Sequence, residues 1–117
     1  MEVTGPVTSV TGTVTGLVGR DLWLDIQSAT ESAHHPTEQP CQINGEMFSF
    51  TTLYVGTAKD RGRRFLIRVL AVPRGGPAEQ ALIDYAHRDK TAAHPYVGLA
   101  RLPEGIQVLN EVDVTRT

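Results

Sequence analysis

Apolar and polar residues alternate along most of this chain with a period of two, the signature of strands with one buried face. The clearest stretch is 21–27, where Leu22, Leu24 and Ile26 share one side and Asp21, Trp23, Asp25 and Gln27 share the other. Before it, Val7 to Leu17 is rich in β-branched residues and interrupted by Gly12 and Gly16, which predicts a strand with a bulge or a close backbone approach. Turn residues between Gly16 and Asp21 predict that these first two strands are neighbours. From Ser28 to Pro40 periodicity disappears, and a long loop is expected.

Cys41 to Ile43 reads as a short strand, and Asn44-Gly45 is the strongest tight-turn signal in the sequence. The run Glu46 to Val55 places Phe48, Phe50 and Tyr54 at even positions but Met47, Leu53 and Val55 at odd ones, so a bulge or bend is expected near Thr51-Thr52. Arg63 to Pro73 has one apolar face of Phe65, Ile67, Val69 and Ala71 and a mixed second face of Leu66, Arg68, Leu70 and Val72, and apolar residues on both sides suit a central strand. Pro77 then opens a helix near 77–88, whose thin stripe of Ala78, Ala81, Leu82, Tyr85 and Ala86 suits a cap on one edge or end of a sheet. The last run, Ile106 to Arg116, alternates, with Ile106, Val108, Val112 and Val114 expected on one face and Gln107, Glu111, Asp113 and Thr115 on the other.

With 117 residues, 40% hydrophobic and 21% charged, the chain suits a single domain over residues 1–117 with a real core. Its net charge of −2 is unevenly spread: residues 1–58 hold six acids and one base, a balance of −5, while residues 59–117 hold seven acids and ten bases, a balance of +3. Lys59, Arg61, Arg63, Arg64, Arg68 and Arg74 gather in the second half. The plain expectation is that these arginines pair with the acids of the first half, and a weakly acidic chain with no other basic stripe is a poor nucleic-acid binder. One cysteine excludes an internal disulfide, and no run approaches membrane-spanning length, which together point to a cytoplasmic protein with no membrane partner.

No nucleophile motif surrounds Ser9, Ser28, Ser32 or Ser49. Cys41 has His34 and His35 within eight positions, yet adjacent histidines do not readily share one metal ion, and the local sequence offers no fourth ligand. No enzyme, metal or cofactor is therefore expected. The candidate binding residues are Trp23, between two carboxylates, the pair His34 and His35 in the long loop, and the cluster Arg61, Arg63 and Arg64.

Seven or so short strands with regular turn signals and one short helix predict a mostly β, immunoglobulin-like two-layer antiparallel β-sandwich. The outline resembles an accessory β-sandwich domain of bacterial multidomain proteins. The resemblance runs through Gly12, Leu22-Trp23-Leu24, His34-His35-Pro36, Asn44-Gly45-Glu46-Met47-Phe48, Val55-Gly56, Gly62-Arg63-Arg64-Phe65, Leu102-Pro103-Glu104-Gly105 and Val112-Asp113-Val114. Histidines stand where that outline has aromatics, and Phe48 stands where it has a Trp, so the resemblance implies a fold and a domain role, not a binding loop. The leading expectation is a non-catalytic module that binds a protein partner or a neighbouring domain. The alternatives are a carbohydrate or surface-ligand binding sandwich using Trp23, Tyr54 or Tyr96, and a homo-oligomer assembled through exposed edge strands.

Overall fold

The computed structural model describes residues 2–3, 7–55, 61–87 and 98–116. In chain order the elements are β1 (Glu2–Val3), β2 (Val7–Thr13), β3 (Arg20–Ser28), β4 (His35–Pro36), β5 (Gln42–Asn44), β6 (Met47–Tyr54), β7 (Arg64–Pro73), the helix α1 (Pro77–Ala86) and β8 (Gln107–Arg116). The chain is thus mostly strand, in two sheets with one short helix. The larger sheet has the order β1-β8-β7-β3-β4 and the smaller β2-β6-β5. All pairings are antiparallel except β1 with β8, which is parallel and departs from the wholly antiparallel expectation.

The period-two pattern explains how β3 and β7 hold the layers. Their facing residues include Leu22 with Ala71, Trp23 with Leu70 and Leu24 with Val69, so one apolar row lies on each side of the sheet. On the inner side Leu22, Leu24, Phe65, Ile67, Val69, Ala71 and Val114 pack with Phe48 of the smaller sheet, together with Cys41 and Val55. On the outer side Trp23, Leu70 and Val72 pack under Ala78 and Leu82 of α1. A strand flanked by β3 and β8 and covered on both faces needs apolar residues throughout, which is what the sequence of β7 predicted. The helix lies over the face of the large sheet instead of capping an edge. Its narrow stripe suffices because Trp23 supplies most of the bulk beneath it.

The expected bulge is present: Thr8 pairs with Leu53 and Val10 with Phe50, leaving Thr51 and Thr52 opposite Ser9. The tight turn is present too, with Asn44 opposite Met47 and Gly45 at φ 62. Glu46 does not share the positive φ, so the turn has the II′ pattern, with glycine at its first central position. Gly12 answers to a close approach, since a Cβ there would lie 2.7 Å from the Phe48 ring that faces it across β2 and β6.

Three further expectations change. β2 and β3 are not neighbours, because the segment between them carries the chain from one sheet to the other, with Gly16 and Gly19 at φ 69 and 70 making the climb possible. The stretch 28–40 is not all loop: β4 pairs with Asp25 and Ile26, and Thr37 and Cys41 donate backbone N–H bonds to Leu24 and Leu22 at 2.9 and 2.7 Å. Pro36 and Pro40 lack donors, so this flank of β3 is tied only in pieces, as an edge strand tolerates. The alternation of β8 is broken where Val69 pairs with Asn110 but Leu70 with Val108, leaving Leu109 as a bulge. Val112 and Val114 face the inter-sheet core, whereas Ile106 joins the helix-side core and Val108 is exposed.

Candidate functional site

The six residues singled out in the sequence do not converge. Trp23 is 1% exposed beneath the helix, and its indole N–H donates to Glu79 Oε2 at 3.1 Å. The other oxygen of Glu79 accepts the Gly75 N–H at 3.1 Å, so one carboxylate joins the strand to the start of the helix. A covered ring is not a stacking platform for a sugar, which removes Trp23 from the carbohydrate reading. The Tyr54 side chain and Tyr96 lie outside the described residues.

His34 and His35 separate. His34 Nδ1 donates to Asp25 Oδ2 at 2.7 Å, the imidazole being the donor because an ionised carboxylate only accepts. His35 Nδ1 lies 3.5 Å from the Tyr85 hydroxyl, long for a hydrogen bond. The backbone of His34 makes a two-bond bridge with Leu99, at 2.7 and 2.8 Å. This bridge explains Gly98: any Cβ there would stand 2.6 Å from the His34 carbonyl oxygen.

Asp25 is the polar centre that sequence inspection did not single out. It is wholly buried on the helix side of β3, and among the described residues its Oδ1 meets no hydrogen-bond partner. Oδ2 takes the His34 contact and lies 3.4 Å from Arg68 Nη1. Arg68, whose side chain is only 15% exposed, also donates to Gln27 Oε1 at 2.7 Å and to Glu111 Oε2 at 2.9 Å. Register produces this convergence, since Asp25 of β3 faces Arg68 of β7, which faces Glu111 of β8. A signal was available: the arginine interrupts the apolar outer face of β7, and in a central strand a charge there needs partners from both neighbouring strands.

An Asp–His pair of this kind orients an imidazole, and general-base catalysis would need a nucleophile within reach of the ring's second nitrogen. Cys41 does not supply it. The thiol lies in the core between the two sheets, whereas Asp25 and His34 stand on the opposite face of β3. Burial pushes the Cys41 thiol up to about 11. At pH 8 an iodoacetamide assay on the folded protein should therefore run about a hundredfold slower than on an ordinary thiol, and reach the ordinary rate only in denaturant. Rapid native-state labelling would contradict this placement. Among the described residues no cluster of three or more His, Cys, Asp or Glu side chains is arranged to hold a metal ion.

The arginine cluster also disperses. Arg61 is exposed, and Arg63 lies 4.0 Å from Glu31, both more than half exposed. Arg64 forms a bidentate pair with Asp113, which raises the Arg64 pKa and lowers that of Asp113. Arg74 donates to Asp21 at 3.0 Å. Arg63, Arg68 and Arg74 thus meet acids of the first half, as expected, while Arg64 and the second arm of Arg68 meet β8. Among the described residues these arginines form no phosphate-binding stripe.

The remaining feature is the free side of β8. β1 covers it only at Thr115 and Arg116, so among the described residues the backbone from Gln107 to Val114 has a neighbour on the β7 side alone. Val108 and Leu109, 46% and 40% exposed, stand at the start of this edge. The Glu111 N–H donates to its neighbour's side chain, Asn110 Oδ1, at 2.8 Å. Among the described residues no helix is long and apolar enough to cross a membrane. Compared with protein-family models, curated proteins and solved structures, the chain matches none.

Proposed function

We propose that this chain is a non-catalytic protein-interaction module, an accessory domain of immunoglobulin-like kind in a bacterial multi-component system, and that it receives an extended segment of a partner or neighbouring domain along β8. The observation behind this reading is the edge of β8, where backbone donors and acceptors stand beside half-exposed apolar side chains. Unpaired strand edges recruit added strands because main-chain hydrogen bonds supply affinity without requiring a shaped pocket. The charges agree with a structural role, since Arg68 joins the buried Asp25 on one neighbouring strand to the half-exposed Glu111 on the other. The two-layer packing, with consecutive strands switching sheets at 14–19 and at Cys41, is compatible with an immunoglobulin-like topology.

The test is size-exclusion chromatography of the chain mixed with the domains it is fused to or encoded beside, using wild type and Glu111→Pro. Proline at 111 removes a backbone donor of β8, and Glu111→Ala, which loses the same Arg68 contact but keeps the N–H, is the control. Co-elution with wild type and its loss with Glu111→Pro is the expected result. Co-elution unchanged by proline would remove β8 from the reading, and no co-elution with any of them would remove the module role.

A further inference from the structure

The segment 14–19, which carries the chain from the small sheet to the large one, runs beside the turn between β5 and β6, and the Val14 N–H donates to the Glu46 carbonyl at 2.8 Å. Between them the described residues form a cleft of about 310 Å³. Val14 and Leu17, half-buried against the inter-sheet core, and Ile43, 44% exposed, give it apolar walls. Arg20, Arg74 and Glu46 supply its charges, and the backbone of Gly16 and Gly45 completes the lining. Such a volume is at the lower end of small-ligand sites and suits a group about the size of one residue.

The two arginines are brought together by register, since Arg20 at the start of β3 faces Pro73, the residue before Arg74. Their charges are met differently. Arg74 Nε donates to Asp21 Oδ1 at 3.0 Å, an ion pair. Arg20 Nη1 donates to Gln107 Oε1 at 2.7 Å and Nη2 to the Gly16 carbonyl at 3.2 Å, both uncharged acceptors. Among the described residues Arg20 meets no carboxylate, and its Nε–H meets no acceptor. A guanidinium held by neutral groups keeps its whole charge for a ligand and has less freedom left to lose on binding one. Glu46 is exposed at the turn, and as an acid in the same cleft it opposes a ligand of high negative charge.

We infer that this cleft binds a single carboxylate carried on a short apolar stem, with the carboxylate on the remaining donors of Arg20 and the stem against Val14, Leu17 and Ile43. One cation that no acid neutralises matches one negative charge, whereas a phosphate dianion meets twice the repulsion from Glu46. A free small acid and the C-terminal residue of a peptide share this chemistry. The site stands independently of whether β8 receives a strand.

Titration of the full chain with isovalerate, N-acetyl-leucine and N-acetyl-leucinamide, followed by the backbone amide signals of Gly16, Ile43 and Gly45, tests it. The acids are expected to shift these signals with dissociation constants of about 1–10 mM, and the uncharged amide to bind about tenfold more weakly than N-acetyl-leucine. Tighter binding of N-acetyl-leucine than of isovalerate would identify a chain terminus as the source, and the reverse a free acid, each in support of the site. Arg20→Gln should erase the difference between N-acetyl-leucine and its amide. Glu46→Lys, at an exposed turn position that the fold does not depend on, should tighten both acids about threefold at low salt and leave them unchanged at high salt. Equal binding of acid and amide by the wild type, or no shift of the three signals with any probe, would overturn the inference. So would an acid preference that survives Arg20→Gln, or low-salt affinities that Glu46→Lys does not alter.

Discussion

Replacing Trp23 by alanine is expected to lower the unfolding free energy by about 4 kcal/mol, within the 3–5 kcal/mol typical of emptying a large aromatic site. The ring is the largest of the fully buried side chains and forms the floor on which Leu82 and Ala78 of α1 rest beside Leu70 and Val72. A helix of ten residues with a thin apolar stripe has little stability alone, so it depends on that contact. The substitution also strands Glu79, a buried carboxylate whose Oε2 accepts the indole N–H. Trp23→Phe separates these contributions: it keeps most of the volume and loses the donor, for an expected cost of about 1–3 kcal/mol. Urea denaturation followed by far-ultraviolet circular dichroism measures both, since the alanine variant has no Trp to report. A loss below about 1 kcal/mol for Trp23→Ala would mean that the helix does not sit on this residue.

Arg68→Ala is expected to cost about 3–5 kcal/mol, because removing one partner of a buried ion pair leaves the other uncompensated. Asp25 is wholly buried, and Arg68 is its guanidinium partner, reaching it with the same nitrogen that holds Gln27. The arginine stem also packs in a central strand, so part of the loss is apolar. The double variant Asp25→Leu/Arg68→Met should recover most of the stability, since well-packed apolar replacements of buried ion pairs are often neutral or better. Denaturant titration of the two single variants and the double closes the cycle. If the double variant were as unstable as the sum of the singles, the pair would not be coupled and Arg68 would not be the centre of the Asp25, Gln27 and Glu111 contacts.

The elements whose residues carry local rules were legible. The II′ turn follows from Gly45, the strand stop from Pro73, the helix start from Pro77 and the β6 bulge from the change of face at Thr51-Thr52. Residues were harder to read where partner choice decides their role. Trp23 between two acids stood out as a candidate binding residue, and the period that put it on the face opposite Leu22 and Leu24 is also what puts it under the helix. Asp25, on the same face, is the centre of the polar cluster, and its meaning depends on Arg68 and Glu111, 43 and 86 positions away. The alternation of β8 misplaced Ile106 and Val108, because a single-residue bulge at Leu109 changes the face of everything before it and no glycine or proline marks it.

By itself the sequence determined that this chain is built mainly from strands with one helix, that β7 is central, and that β3 offers an aliphatic face and a face bearing Trp23 and Asp25, since these follow from side-chain period and local backbone chemistry. Only the tertiary structure decided which strands are neighbours, that Trp23 is covered, that His34 meets Asp25 while Cys41 lies on the other side of the sheet, and that among the described residues β1 covers β8 only at Thr115 and Arg116. Register and sheet assignment depend on how distant segments share one core, and that is a property of the packed whole.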